Sequence, residues 1–462
     1  MALIAAFPGV HGEDSVARLA HSDTLLLAYQ LPLPQALVMA ARTLAPDPVW
    51  TRALFAAIGA GVAAALSAVV WRVSGPLAGL AAGALAAANP LLAYYSIVPY
   101  QEGLMMLLLL LGADALLGGR EVRAGALLGL AALCRYEAWI AVGLVLVWRF
   151  ASAATWRERG RAVIVFAWAP LLWILLWRGL APRGTYVLDL DTGNSRLARL
   201  AFLATKLREY SGAALLALAA VGLVVVVWRR DRRWLAGLAY VATTMAAVVI
   251  AGHEAPPASG RVSERLIHLP ALATCALAAL ALAALAEVTG RRARVAMRVM
   301  AVLVVTALAA DGLRRTHALL AEAARDPALR LAVAVAAFAD QRLGAGERLG
   351  VAAPPVPAAA IEDYVRKVER AGGDAAEARR IGLALAARSM DAERVAAQLA
   401  RPPATVVTTA DARPALVAVY EDAPGGSPWP LGPVLARFTA GARAVTLYAA
   451  APARQSGANG TR

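Results

Sequence analysis

Residues 123–150 read RAGALLGLAALCRYEAWIAVGLVLVWRF. The run is apolar for long enough to cross a bilayer as one helix, which takes about 20 residues, except that Arg135 and Glu137 stand in its middle. A charged side chain at a membrane centre costs roughly 3 kcal/mol on insertion scales. Two short segments, 123–134 and 138–150, avoid that cost by meeting at one surface with Cys134-Arg135-Tyr136-Glu137 at the tip.

The choice sets the direction of everything around it. Apolar runs separated by charge or by Gly/Pro turns fall at 49–71, 76–95, 102–118, 162–179, 211–228, 234–252, 266–287 and 296–312. With the split, alternate loops carry Arg72, then Arg120 and Arg123, then Arg149, Arg157, Arg159 and Arg161. The series continues with Arg229, Arg230, Arg232 and Arg233, and ends at Arg291, Arg292, Arg294 and Arg298. All of these lie on one side, which the positive-inside rule makes cytoplasmic. One long helix through 124–150 would break that rule for every later loop. The reading is therefore about ten membrane segments.

Composition agrees. Hydrophobic residues are 60% of the 462 and charged residues 17%, and mean hydropathy is +0.60. A soluble core cannot bury that fraction. The formal charge of +15 belongs to loop orientation and indicates no nucleic-acid partner. Lys206 and Lys367 are the only lysines, and alanine is abundant, a bias that points to GC-rich bacterial coding. Cys134 and Cys275 form neither a disulfide framework nor a zinc-type spacing.

This orientation places outside the membrane the segment 1–48, the turn at 96–102, the 135–137 tip, and the loops 180–210 and 253–265. Met1 to Val10 is apolar but too short to span, and reads as the outer end of a first helix that begins upstream. The chain thus divides into a transmembrane region, 1–312, with an outer first loop at 11–48, and an extracytoplasmic α/β domain, 313–462. Within that domain, periodicity predicts helices near 316–342, 358–371, 374–388 and 391–400, and strands near 348–352, 404–409, 415–420 and 443–449.

The outer segments gather the chemistry. Glu13 and Asp14 lie in the first loop, Glu102 opens a membrane segment, and Arg135 and Glu137 form the tip. His253, Glu254, Arg261, Glu264 and Arg265 precede the 266–287 run. Carboxylates serve as a general base or hold a metal, and arginines bind phosphate through paired N–H donors. A plainer reading makes Arg135 and Glu137 a structural ion pair that closes a helical hairpin, and Glu102 a carboxylate favoured by the helix dipole.

Several of these stretches, in this order, resemble the GT-C superfamily of membrane glycosyltransferases. The similarity is to the bacterial branch of protein O-mannosyltransferases and aminoarabinose transferases, from about Gly12 to the end of the chain. The stretches are Glu13-Asp14-Ser15 followed by Tyr29-Gln30-Leu31-Pro32; Asn89-Pro90 with Tyr94-Tyr95-Ser96 and Gln101-Glu102; Gly129-Leu130 with Leu133-Cys134-Arg135-Tyr136-Glu137; and Arg265 with Pro270. The family's usual Asp-Glu order is reversed at Glu13-Asp14, which leaves open which carboxylate is the base.

The resemblance implies hexosyl or pentosyl transfer from a polyprenyl-phosphate sugar to a lipid, glycan or protein acceptor at the outer face of the inner membrane. It implies Asp14, Glu13 and Glu102 as catalytic candidates and Arg135, Arg261 and Arg265 as contacts for the phosphate. A divalent metal is compatible with His11, Glu13, Asp14 or His253, although no ligand spacing demands one. A transporter or an inactive scaffold of the same fold are the rival readings. The one-sided clustering of charge and the lack of an internal repeat weigh against the transporter.

Overall fold

Proline opens the helices that begin at residues 32, 48, 76, 90 and 327. The structure, a computed structural model, describes residues 2–11, 13–25, 31–180, 196–251, 264–287, 291–352, 390–401, 405–408, 414–422 and 427–451, with isolated positions between 362 and 376. Its contacts define two compact units. The first comprises residues 1–6, 25–37 and 52–321, and the second comprises 7–24, 38–51 and 322–462.

The first unit is a helical bundle. In chain order it holds α1 (Ala2–Ala6), the start of α3 (Pro32–Leu44), most of α4 (Pro48–Ser74), α5 (Pro76–Ala88), α6 (Pro90–Ser96) and α7 (Gln101–Leu117). Then follow α8 (Glu121–Ala132), α9 (Glu137–Ser152), α10 (Trp156–Leu180), α11 (Arg196–Ser211), α12 (Ala213–Arg229), α13 (Arg232–Ala251), α14 (His268–Glu287) and most of α15 (Arg291–Ala323). Every apolar run read from the sequence is helical, and the chain is a multi-pass membrane protein. Among the described residues five helices are long and apolar enough to cross a bilayer, or seven if each bent pair is one span. The bent pairs are α5 with α6, at 62°, and the end of α11 with α12, at 109°. Several of the ten predicted segments are therefore shorter than a full crossing, α8 being only 12 residues.

Close approach of helices depends on small residues. A Cβ at Gly222 of α12 would run into the Leu277 carbonyl oxygen of α14, and one at Gly125 of α8 into that of Val165 on α10. α14 is the central element: from Ala271 to Ala286 nearly every side chain is buried. By contrast α15 exposes Val295, Val299, Met300, Val302 and Leu303, a face suited to lipid tails. At one end of this bundle the basic residues pair with acids: Arg72 and Arg120 with Asp114 at 2.8 and 2.9 Å, Arg149 with Glu121, and Arg229 with Glu287 at 3.2 Å.

The second unit contains α2 (Glu13–Ala20), α16 (Pro327–Arg342), α17 (Met390–Gln398) and a five-stranded sheet. Its strands are β1 (Leu349–Ala352), β2 (Val406–Val407), β3 (Leu416–Tyr420), β4 (Leu431–Ala440) and β5 (Arg443–Ala450), in the order β2-β1-β3-β5-β4. β1 runs parallel to β2 and β3, whereas β5 is antiparallel to β3 and β4. Leu331, Val335 and Ala339 of α16, with Val395 of α17 and the adjoining Leu399, pack on Leu349, Leu416, Val445 and Leu447. Asp391 receives both Arg443 nitrogens, at 2.7 and 3.2 Å, tying the start of α17 to β5. That carboxylate holds the Arg443 guanidinium above its usual range.

The predicted helix over 316–342 is two elements, because Asp326 caps α16 through the Ala328 N–H at 3.0 Å and Pro327 starts it. β4 is an addition to the predicted strands. It is an edge strand, and its register shifts between Leu431 and Ala436 accommodate Gly432 and Pro433. The predicted helices over 358–371 and 374–388 lie almost wholly outside the described residues.

Candidate active site

The break at 133–136 builds a largely buried charged cluster in the bundle. α8 ends at Ala132 and α9 starts at Glu137, and Trp139 closes the corner by donating its indole N–H to the Ala132 carbonyl at 2.8 Å. Tyr136 packs against Trp139 with ring centroids 5.4 Å apart and planes tilted by 60°. Arg135 therefore stands at the turn, with its side chain 12% exposed.

Its guanidinium lies between two carboxylates. Nε donates to Glu137 Oε1 and Oε2 at 2.9 and 3.0 Å, and Nη2 also meets Glu137 Oε1. Nη1 donates to Glu102 Oε1. Glu102 sits in the first turn of α7 and is 1% exposed. Its second oxygen, Oε2, is buried with no hydrogen-bond partner among the described residues. Two carboxylates on one guanidinium leave a formal charge of −1 in a mostly desolvated place. Thus the structure brings Glu102 and Arg135 together, and adds Glu137 as their third member.

The surrounding polar residues come from neighbouring helix ends. Asn89, 2% exposed, caps α6 by accepting from the Leu91 and Leu92 N–H groups at 3.1 and 3.3 Å. Arg52 of α4, fully buried, donates Nε to the Ile97 carbonyl at 3.0 Å, in the turn before α7. Tyr95 packs edge-on against Tyr94, Tyr100 and His268, at centroid distances of 5.0, 4.8 and 5.0 Å. His268 opens α14 and is buried. The Leu33 N–H donates to the Leu133 carbonyl at 3.1 Å. Arg52 and His268 were not among the sequence candidates. The signal was available: each is an ionisable residue inside or opening an otherwise apolar run.

The other predicted residues belong elsewhere. Glu13 and Asp14 form the first turn of α2 in the second unit, and their side chains are outside the described residues. His253 and Arg261 are also outside them, while Arg265 is described only as part of a short 3-10 turn, Glu264–Ile267. No group of three or more His, Cys, Asp or Glu suited to a metal ion occurs among the described residues.

A polytopic bundle with helices broken at one end, together with a C-terminal mixed sheet, defines the class: the fold is one already seen in solved membrane-protein structures. The particular likeness is to ArnT from Cupriavidus metallidurans. Its apo crystal structure matches over 96% of this chain and 96% of its own, with a TM-score of 0.55 and 16% identity. The same protein bound to undecaprenyl phosphate matches over 95% of this chain and 94% of its own, with a TM-score of 0.52 and again 16% identity. No protein-family model and no curated protein sequence matches the chain. At that identity the likeness is one of fold.

Proposed function

We propose that this protein transfers a sugar from a polyprenyl-phosphate donor to an acceptor at the extracytoplasmic face of the inner membrane, with inversion. The observation that carries the reading is the near full-length likeness of fold to a protein whose solved structure holds undecaprenyl phosphate. In the reaction, Asp14 or Glu13 takes the proton from an acceptor hydroxyl as its oxygen attacks the anomeric carbon. The bond from that carbon to the phosphate oxygen breaks, and the electron pair leaves with polyprenyl phosphate. A phosphate leaving group needs no general acid, unlike the alcohol expelled in glycoside hydrolysis. Arg261 and Arg265 meet the charge that grows on it. Arg135 already has Glu102 and Glu137 as partners, so its part is to orient Glu102. The residues 313–462 form an extracytoplasmic domain.

The test uses purified protein in nanodiscs with a panel of polyprenyl-phosphate hexoses and pentoses and a crude acceptor extract, following release of polyprenyl phosphate. Release by the wild type that falls by about 10²- to 10⁴-fold in Asp14→Asn or Glu102→Gln is the expected result. Monodisperse wild-type protein that releases nothing from any donor would overturn the proposal in favour of a transporter or scaffold.

A further inference from the structure

The acidic pair Glu13 and Asp14 begins α2, and the chain on both sides of it is fastened to a single helix of the same unit, α17. Before the pair, Val10 is fully buried, and its backbone is gripped by the side-chain amide of Gln398. The Val10 N–H donates to Gln398 Oε1 at 2.9 Å, and Gln398 Nε2 donates to the Val10 carbonyl at 3.0 Å. Two bonds to one planar amide fix both the position and the direction of the peptide. Gly9 lies so close to α16 that a Cβ there would stand 3.1 Å from Leu329 Cδ1.

After the pair, His21 meets Glu393 of α17 at 3.0 Å. Between these points α2 packs on α17, with Val16 and Leu19 buried. α17 is held in turn: Arg42 donates to the Leu399 and Arg401 carbonyls just beyond its end, at 3.1 and 2.8 Å, and α16 packs beside it. The acidic pair is thus bracketed at Val10 and His21 by attachments some 370 to 390 residues distant in sequence.

We infer that Gln398 is a positioning residue for the transfer reaction: through Val10 it sets where the first turn of α2, which carries Glu13 and Asp14, stands, and the C-terminal domain thereby forms part of the catalytic framework. The inference rests on the transferase reading above. A base displaced by about 1 Å costs on the order of 100-fold in rate, and the anchor lies only three residues before Glu13.

The experiment uses the full chain in nanodiscs. It measures kcat and donor KM for wild type, Gln398→Met, Gln398→Glu, Asp14→Asn and the Gln398→Met/Asp14→Asn double variant, with hydrogen exchange over residues 8–20. Gln398→Met keeps side-chain length and loses both bonds, whereas Gln398→Glu keeps the acceptor for the Val10 N–H and loses the donor. The expected result for Gln398→Met is a roughly tenfold to hundredfold fall in kcat, with KM held within about twofold. Exchange should quicken from Val10 into α2 and stay unchanged in α14. Gln398→Glu should fall between, and the double variant should be no slower than Asp14→Asn. Unaltered exchange, or faster exchange with kcat intact, would overturn the inference, as would a rise in KM alone. A wild type that transfers nothing would instead sink the transferase reading and the catalytic half of the inference, while exchange would still decide whether Gln398 holds the loop.

Discussion

Replacing Arg135 by Met tests the charged turn most directly. Arg135 is the one residue shown donating to Glu102, and Glu102 is 1% exposed, so removing the guanidinium strands a carboxylate with almost no access to water. Breaking a buried ion pair by deleting one partner costs about 3–5 kcal/mol. Glu137, with its side chain 18% exposed, keeps some solvent and adds little to that figure. For a domain of this size the loss corresponds to a fall in unfolding midpoint of roughly 6–10 °C. Tryptophan fluorescence during heating in detergent would measure it.

The discriminating comparison is the double variant. If the loss comes from an uncompensated charge, Arg135→Met with Glu102→Gln should be more stable than Arg135→Met alone, because the stranded group is then neutral. Recovery of about 2 kcal/mol is expected, the neutral amide still lacking partners. A single variant as stable as wild type, or a double variant no better than the single, would refute the reasoning and leave the turn held by Trp139 and backbone contacts instead.

Three further outcomes follow from the packing. Gly222→Ala should destabilise the bundle by about 1–3 kcal/mol and lower the yield of monodisperse protein, since the new methyl meets the Leu277 carbonyl of α14; a yield and midpoint equal to wild type would contradict this contact. Asn89→Ala removes the cap of α6 and should cost about 1–2 kcal/mol, measured as a midpoint shift that Asn89→Ser, a neutral cap, largely avoids. Burial brings the Arg42 pKa down to about 10 against the pull of Asp47 and Asp340, so it stays charged at neutral pH. Arg42→Met should then free the carbonyls of Leu399 and Arg401 and speed proteolysis within 390–401, whereas unchanged cleavage would assign Arg42 no such role.

How much of this was readable beforehand depends on the range of the interaction. The break at Arg135 was legible because it follows from a local cost, charge at mid-span, and the arginine loops repeat the same constraint along the chain. The helix starts at Pro48 and Pro76 agree with the predicted runs and follow from proline's missing donor, whereas the break at Pro90 falls inside the predicted 76–95 segment. The union of residues 7–24 with the C-terminal sheet was not legible. It rests on Val10 with Gln398 and His21 with Glu393, pairs 388 and 372 residues apart, and neither leaves a periodic trace in the sequence. Glu137 was read as a pair for Arg135, but the sharing of that guanidinium with Glu102, 33 residues away, needs the packing of α7 against α8.

The polar residues at the broken end of the bundle divide by what they satisfy. Where a helix stops inside a membrane protein, its last carbonyls and first N–H groups need partners that lipid cannot supply. Asn89 takes the N–H groups that open α6, Trp139 the Ala132 carbonyl at the end of α8, Arg52 the Ile97 carbonyl before α7, and Arg315 the Glu209 carbonyl near the end of α11, at 3.2 Å. Each is accounted for by the break beside it, so burial and charge alone do not mark these residues as catalytic. Glu102 is different. It lies in the first turn of α7, yet one oxygen is taken by Arg135 and the other, buried, serves no described backbone group. A buried carboxylate oxygen with no partner among the described residues is costly to stability, and this is the observation behind the part proposed for Glu102 in the reaction. On the transferase reading, Glu102→Gln should therefore lower turnover more than it lowers the unfolding midpoint, and equal losses in both would refute that.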